Sequence, residues 1–146
     1  MKDFNWLKLD TAAIMFAAIQ DKNVSRVFRG SFVLKDENVD GEILKEAVYD
    51  VIERFPYFRV RYNSGFFWSH LQRTDIMPVV MEETEYPAAV QWFGKNGGPE
   101  FRVLYYKRRI TLEIAHMLTD GVGSSALMKS ILTRYFVLKG EIKEEE

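Results

Sequence analysis

The sequence predicts an α/β domain of the α+β kind: a mixed, largely antiparallel sheet with helices packed mainly on one face. Three observations lead there. Short strand-like runs at 24–35, 57–62, 65–72, 101–106 and 109–115 are interspersed with helical apolar spacing at 40–55 and 121–138. Several of the strand-like runs are joined by very short connections, which suit antiparallel pairs. The chain has 146 residues, of which 47% are hydrophobic, enough for one core and short for two.

Taken in order, residues 9–19 are apolar and read as a short helix opened by Asp10, a good N-cap type. Residues 24–35 alternate, with Phe28, Gly30, Phe32 and Leu34 on one face and Val27, Arg29, Ser31 and Val33 on the other. A turn at 36–40 leads into a helix over 40–55. There Leu44, Ala47, Val48, Val51, Ile52 and Phe55 recur at helical steps, and Lys45, Glu46, Asp50 and Glu53 fill the opposite side. Pro56 stops it. Residues 57–62 and 65–72 read as a hairpin around Asn63-Ser64-Gly65, followed by a short strand at 78–81. Residues 87–95 read as a helix with Pro87 in its first turn, and 96–99 as a loop. Strands at 101–106 and 109–115 are joined at Lys107-Arg108. The final helix, 121–138, carries Val122, Leu127, Ile131, Tyr135 and Leu138 on one side, with Gly140 as its stop. One sheet of roughly five or six strands is expected. The division is a lobe over 1–139 and a charged tail or linker start over 140–146.

Composition excludes several functions. Twenty Lys and Arg against twenty-one Asp and Glu leave a charge of −1, which gives no electrostatic case for nucleic acid or an anionic membrane. Cysteine is absent, which removes disulfides, thiolate metal sites and a cysteine nucleophile. The apolar run at 12–19 is too short to span a bilayer, and the first residues lack a signal-peptide layout, so a cytoplasmic protein is expected. Aromatic residues reach 14%, read first as a Phe-rich core and second as the lining of a cleft or interface.

The chemistry concentrates at His116. Ile110, Leu112, Ile114 and His116 share one face of their strand, opposite Arg109, Thr111, Glu113 and Ala115. His116 ends that apolar row where strand gives way to loop and helix, a favoured place for a binding site. An imidazole suits proton transfer because its ordinary pKa, about 6.5, lies near working pH. Asp120 could hold the loop by pairing with a cation, and Gly121 would let the backbone turn or approach closely. Ser124 and Ser125 are small and leave room for a ligand at the helix start. A buried structural histidine is the alternative. No metal is expected, since His116 and Asp120 supply two ligands where a catalytic zinc usually takes about three from protein.

The run His116-Met117-Leu118-Thr119-Asp120-Gly121 resembles the H-x-x-x-D-G signature of the superfamily containing chloramphenicol acetyltransferase, peptide-synthetase condensation domains and plant BAHD acyltransferases. Residues 47–62, with Arg54-Phe55-Pro56-Tyr57-Phe58-Arg59, look like that superfamily's helix ending in R-x-P-x-φ-R before a strand, and 6–18 resemble its opening. The order fits an N-terminal lobe, with bacterial alcohol acetyltransferase-like proteins as the nearest likeness. The resemblance implies one lobe of a CoA-dependent acyltransferase. His116 would be the general base, Asp120 would have a structural role paired with an Arg (Arg59 the best candidate), and Gly121 and Arg59 would shape the loop. It implies no tightly bound cofactor, a coenzyme A or carrier thioester as co-substrate, and an alcohol or amine acceptor. Ala115 stands where condensation domains usually carry another His, which favours a free-standing acyltransferase. The second lobe, with its D-F-G-W-type motif, is not in these residues. The missing lobe is therefore an expected partner, this half alone is expected to be weakly active or inactive, and the exposed tunnel face offers a homodimer contact. The alternative function is a non-catalytic lobe that dimerises or binds a partner.

Overall fold

The architecture follows from where each run of residues can end. In the computed structural model, which describes residues 6–18, 27–64, 66–84 and 98–143, the order is β1 (Trp6–Lys8), α1 (Thr11–Ala18), β2 (Val27–Val33), α2 (Gly41–Arg54), a 3-10 turn (Pro56–Phe58), β3 (Val60–Ser64), β4 (Ser69–Arg73), β5 (Val79–Glu82), β6 (Phe101–Tyr106), β7 (Arg109–Ala115) and α3 (Gly121–Leu138). Asp10 caps α1 by accepting from the Ala13 amide at 2.7 Å. Asp40 caps α2 by accepting from the amides of Glu42 and Ile43. Each satisfies donors that the first helical turn leaves unpaired. Pro56 ends α2 as expected. Lys107, at φ 51°, makes the tight turn between β6 and β7, and Gly140, at φ +77°, ends the last helix. The expected helix at 87–95 lies outside the described residues.

The expected single sheet is replaced by two among the described residues: β1-β4-β3 and β2-β7-β6-β5. All pairs are antiparallel except β5 with β6. The reason lies at Glu100. Its backbone N–H donates to the Val60 carbonyl at 3.3 Å, and its carboxylate accepts from the Tyr62 amide at 2.7 Å. One residue thus satisfies the ladder groups of β3 that a further strand would otherwise take, and the larger sheet stops there. Alternation in sequence marks a strand but not its neighbour.

Two local expectations also change. The hairpin register pairs Asn63 with His70 and Ser64 with Ser69, so the first strand runs on through the expected turn and Phe66, Phe67 and Trp68 fall in the connection. This moves three aromatic side chains out of the strand and into solvent. Val122, expected on the apolar side of α3, is exposed, while Leu127, Ile131, Leu132 and Tyr135 are buried.

The main core lies between the larger sheet and the pair α2 and α3. Ile110, Leu112 and Ile114 of β7 and Phe101 and Val103 of β6 meet Leu44, Val48 and Ile52 of α2 and Leu127 and Ile131 of α3. Each such side chain contributes about 1.5–3 kcal/mol by leaving water. Tyr135 joins the helices, its hydroxyl accepting from the Asp40 amide at 3.0 Å. A second cluster, Leu9, Ala13, Val60, Leu71, Ala115 and Met117, holds the smaller sheet and α1 against the end of β7. The segment after β7 is therefore fixed by both cores.

Candidate active site at the end of the seventh strand

His116 follows directly on β7, in a turn closed by the Leu118 amide donating to the Ala115 carbonyl at 2.9 Å. Ala115 is itself held by its amide donating to the Glu100 carbonyl at 2.8 Å. The alternation of β7 carries through, so His116 lies on the same side as Ile114. Its ring is half-buried and lies against Phe28 of β2, centroids 4.0 Å apart and planes tilted by 34°. Phe28 is placed there because it pairs with Ile114 across the β2–β7 ladder.

Phe28 and Ile114 also form part of the wall of a cleft of about 310 Å³ between β2 and the first half of α3. Its other lining residues include Gly30, Phe32, Leu112, Ser124, Ser125, Met128 and Lys129. The hydroxyls of Ser124 and Ser125 donate back to the Gly121 carbonyl, at 3.1 and 2.7 Å, so the helix start is small in outline and polar in its lining. His116 is not itself one of the residues that line this cleft; its imidazole is linked to it through Phe28, which does.

Asp120 and Gly121 come into the same loop as His116; Arg59 does not join them. The Asp120 carboxylate caps α3, accepting from the Gly123 amide at 2.8 Å. Arg59 instead turns to Asp75, its guanidinium donating to the Asp75 carbonyl at 3.3 Å and lying 3.6 Å from its carboxylate. The expected Arg59–Asp120 pair is therefore corrected: the residue after the 3-10 turn is carried toward the β4–β5 connection, where the Thr74 amide also donates to the Arg59 carbonyl. Gly121 is corrected as well. It is the first residue of α3, and an added Cβ there meets nothing within 4 Å. The close approach is at Gly123 instead, where a Cβ would run into the Thr119 hydroxyl. The H-x-x-x-D-G spacing draws attention to the wrong glycine; only the fold of the 119–123 turn identifies the right one.

The opposite face of the larger sheet carries a charged row that pattern reading left unassigned. Arg29, Glu113 and Arg102 stand in register across β2, β7 and β6. Glu113 is fully buried and bonds both arginines, Arg102 at 2.7 Å. Glu83 extends the row by bonding Arg29 and Arg109. Burial pulls Glu83 upward, but the hydrogen bonds from Arg109 and Arg29 outweigh it and hold its carboxyl below the usual range. Glu100 goes the other way. Burial pushes it up to about 7, and the Tyr62 amide offsets only part of that. Among the described residues no cluster of His, Cys, Asp or Glu fits a metal ion, and no helix is long and apolar enough to cross a membrane.

No family model and no curated protein matches the chain. Solved structures do. The chain is similar to the starter condensation domain of rhizomide synthetase RzmA, with TM-score 0.71 and 16% identity over 98% of this chain and 40% of that one. A mutant of that domain is seen in complex with C8-CoA. The X-domain from teicoplanin biosynthesis, also seen in complex with OxyB, gives TM-score 0.73 and 15% identity over 100% of this chain and 36% of that one. Polyketide synthase associated protein 5 from Mycobacterium tuberculosis gives TM-score 0.66 and 14% identity over 92% and 33%. The chain therefore has a condensation-domain-like fold, a mixed α+β arrangement. It spans well under half the length of the structures it matches.

Proposed function

We propose that the chain is the histidine-bearing lobe of an acyltransferase that moves an acyl group from a coenzyme A or carrier thioester to an alcohol or amine. The observation that supports this most is the placement of His116, half-buried at the end of β7 with its ring against Phe28, a residue that lines the cleft. The fold shared with a condensation domain seen with C8-CoA supports a thioester donor. In this reading the imidazole takes the proton from the acceptor as its oxygen or nitrogen attacks the thioester carbonyl. The new C–O or C–N bond forms, the C–S bond breaks, and the departing thiolate receives the proton held on the imidazolium. Asp120 acts through the loop: by capping α3 it fixes the start of the helix that follows His116. A cleft open to solvent on this lobe suits completion by a further lobe or by a second copy.

The test is release of coenzyme A from acyl-CoA in the presence of an alcohol or amine. A thiol reagent reads it without background, because the chain has no cysteine. His116→Ala should lower turnover by about 100- to 10,000-fold, the usual worth of a positioned general base, with unchanged circular dichroism. Equal turnover in the variant would refute the assignment. A second reading, a partner-binding module without turnover, is favoured by the teicoplanin X-domain being seen with OxyB. It predicts partner capture that survives His116→Ala and no coenzyme A release even when the second lobe is supplied.

A further inference from the structure

The smaller sheet carries a site that the His116 cleft does not use. A cavity of about 730 Å³ opens between β1, the start of α1 and the β3–β4 hairpin tip. That volume falls within the roughly 300–1,000 Å³ common for small-molecule sites. Its walls are Trp6, Ile14, Phe66, Phe67 and Trp68, with Leu9 behind them. These are not core residues left slightly open: Phe66 is 97% exposed, Phe67 85% and Trp68 70%. Adjacent exposed aromatics on that scale mark a contact surface.

The polar groups narrow the occupant. Lys8 and His70 are direct partners across the β1–β4 ladder, so their side chains rise from the same face. The His70 ring is held edge-on by Trp6, centroids 6.5 Å apart at 78°. Its Nδ1 is shut off from solvent and has no hydrogen-bond partner among the described residues. An atom without accessible surface cannot be reached from the open cavity, so the cationic group available to an occupant is the Lys8 ammonium. The remaining polar lining, Tyr62 and Ser69, is closed on itself by a hydroxyl–hydroxyl bond of 2.8 Å. No carboxylate lines the cavity among the described residues. One ammonium in an otherwise aromatic trough complements a single anionic head on an apolar body.

We infer that this cavity binds an amphipathic carboxylate, a fatty-acid-like anion with its head on Lys8 and its chain along Trp6 and the Phe66–Trp68 tip. The inference is independent of the acyl-transfer proposal, since none of these residues lies in the His116 cleft.

Two of the three tryptophans line the cavity, so intrinsic fluorescence reports on it. The probe is 12-bromododecanoate below its micelle concentration, whose bromine quenches a tryptophan it touches; unbrominated dodecanoate is the control. Saturable quenching is expected. Lys8→Glu, checked for an unchanged melting temperature, should weaken binding about tenfold or more, as should replacing the carboxylate by a bromo-alcohol, because each removes a charge-assisted hydrogen bond. Quenching that persists undiminished after Trp6→Phe with Trp68→Phe would put the ligand elsewhere and overturn the inference. Equal affinity for the bromo-alcohol would overturn the assigned head. Binding to anionic phospholipid vesicles without binding of the monomeric probe would give the tip to a bilayer surface instead. A sedimenting dimer with both indoles protected and no probe binding would give it to a second copy.

Discussion

Replacing Glu100 by Gln tests the seam between the two sheets. The carboxyl is 2% exposed, and the hydrogen bond it is seen to accept comes from the Tyr62 amide. Burial raises it from the ordinary 4.5 to about 7. The folded chain therefore keeps a proton through a span of about 2.5 pH units in which the unfolded chain has lost it. At about 1.4 kcal/mol per unit, stability falls by about 3 kcal/mol as pH rises from below 4.5 to above 7. The sign follows from the folded state binding more protons across that window. Gln keeps the acceptor oxygen for Tyr62 and has no charge to expel. In urea unfolding at pH 5 and pH 8, the two proteins should differ little at the lower pH. The Gln variant should gain about 3 kcal/mol on the wild type at the higher one. Stability profiles that run parallel from pH 5 to pH 8 would refute the claim that Glu100 is buried as a neutral acid.

Glu113→Gln should destabilise by about 3–5 kcal/mol, because it leaves Arg29 and the buried Arg102 without their shared carboxylate; chemical denaturation reads it. Gly123→Ala should cost about 1–3 kcal/mol by forcing the Thr119 side chain aside, whereas Gly121→Ala, with open space around it, should leave the melting temperature unchanged or slightly raised. A larger loss at Gly121 than at Gly123 would reverse the assignment of the loop-shaping glycine. Asp120→Ala should cost about 1 kcal/mol through the lost cap and Asp120→Asn much less, measured by thermal melts; an equal loss in both would show that charge, not the cap, matters.

What the sequence alone determined is local. The cap at Asp10, the stop at Pro56, the two-residue connection at Lys107-Arg108 and the extent of α3 were legible because each depends on a few neighbouring residues and their backbone preferences. The alternation along residues 110–116 likewise sets Ile114 and His116 on one side. Only the tertiary structure decided what crosses the chain. It set Glu100 against β3, splitting one expected sheet into two, and sent Arg59 to Asp75. It also aligned Arg29, Glu113 and Arg102 from three strands and put Lys8 opposite His70. Periodicity fixes which face a side chain takes; it carries no information about which distant segment supplies the facing partner. That choice is made by burial and by the need to satisfy every polar group the core encloses.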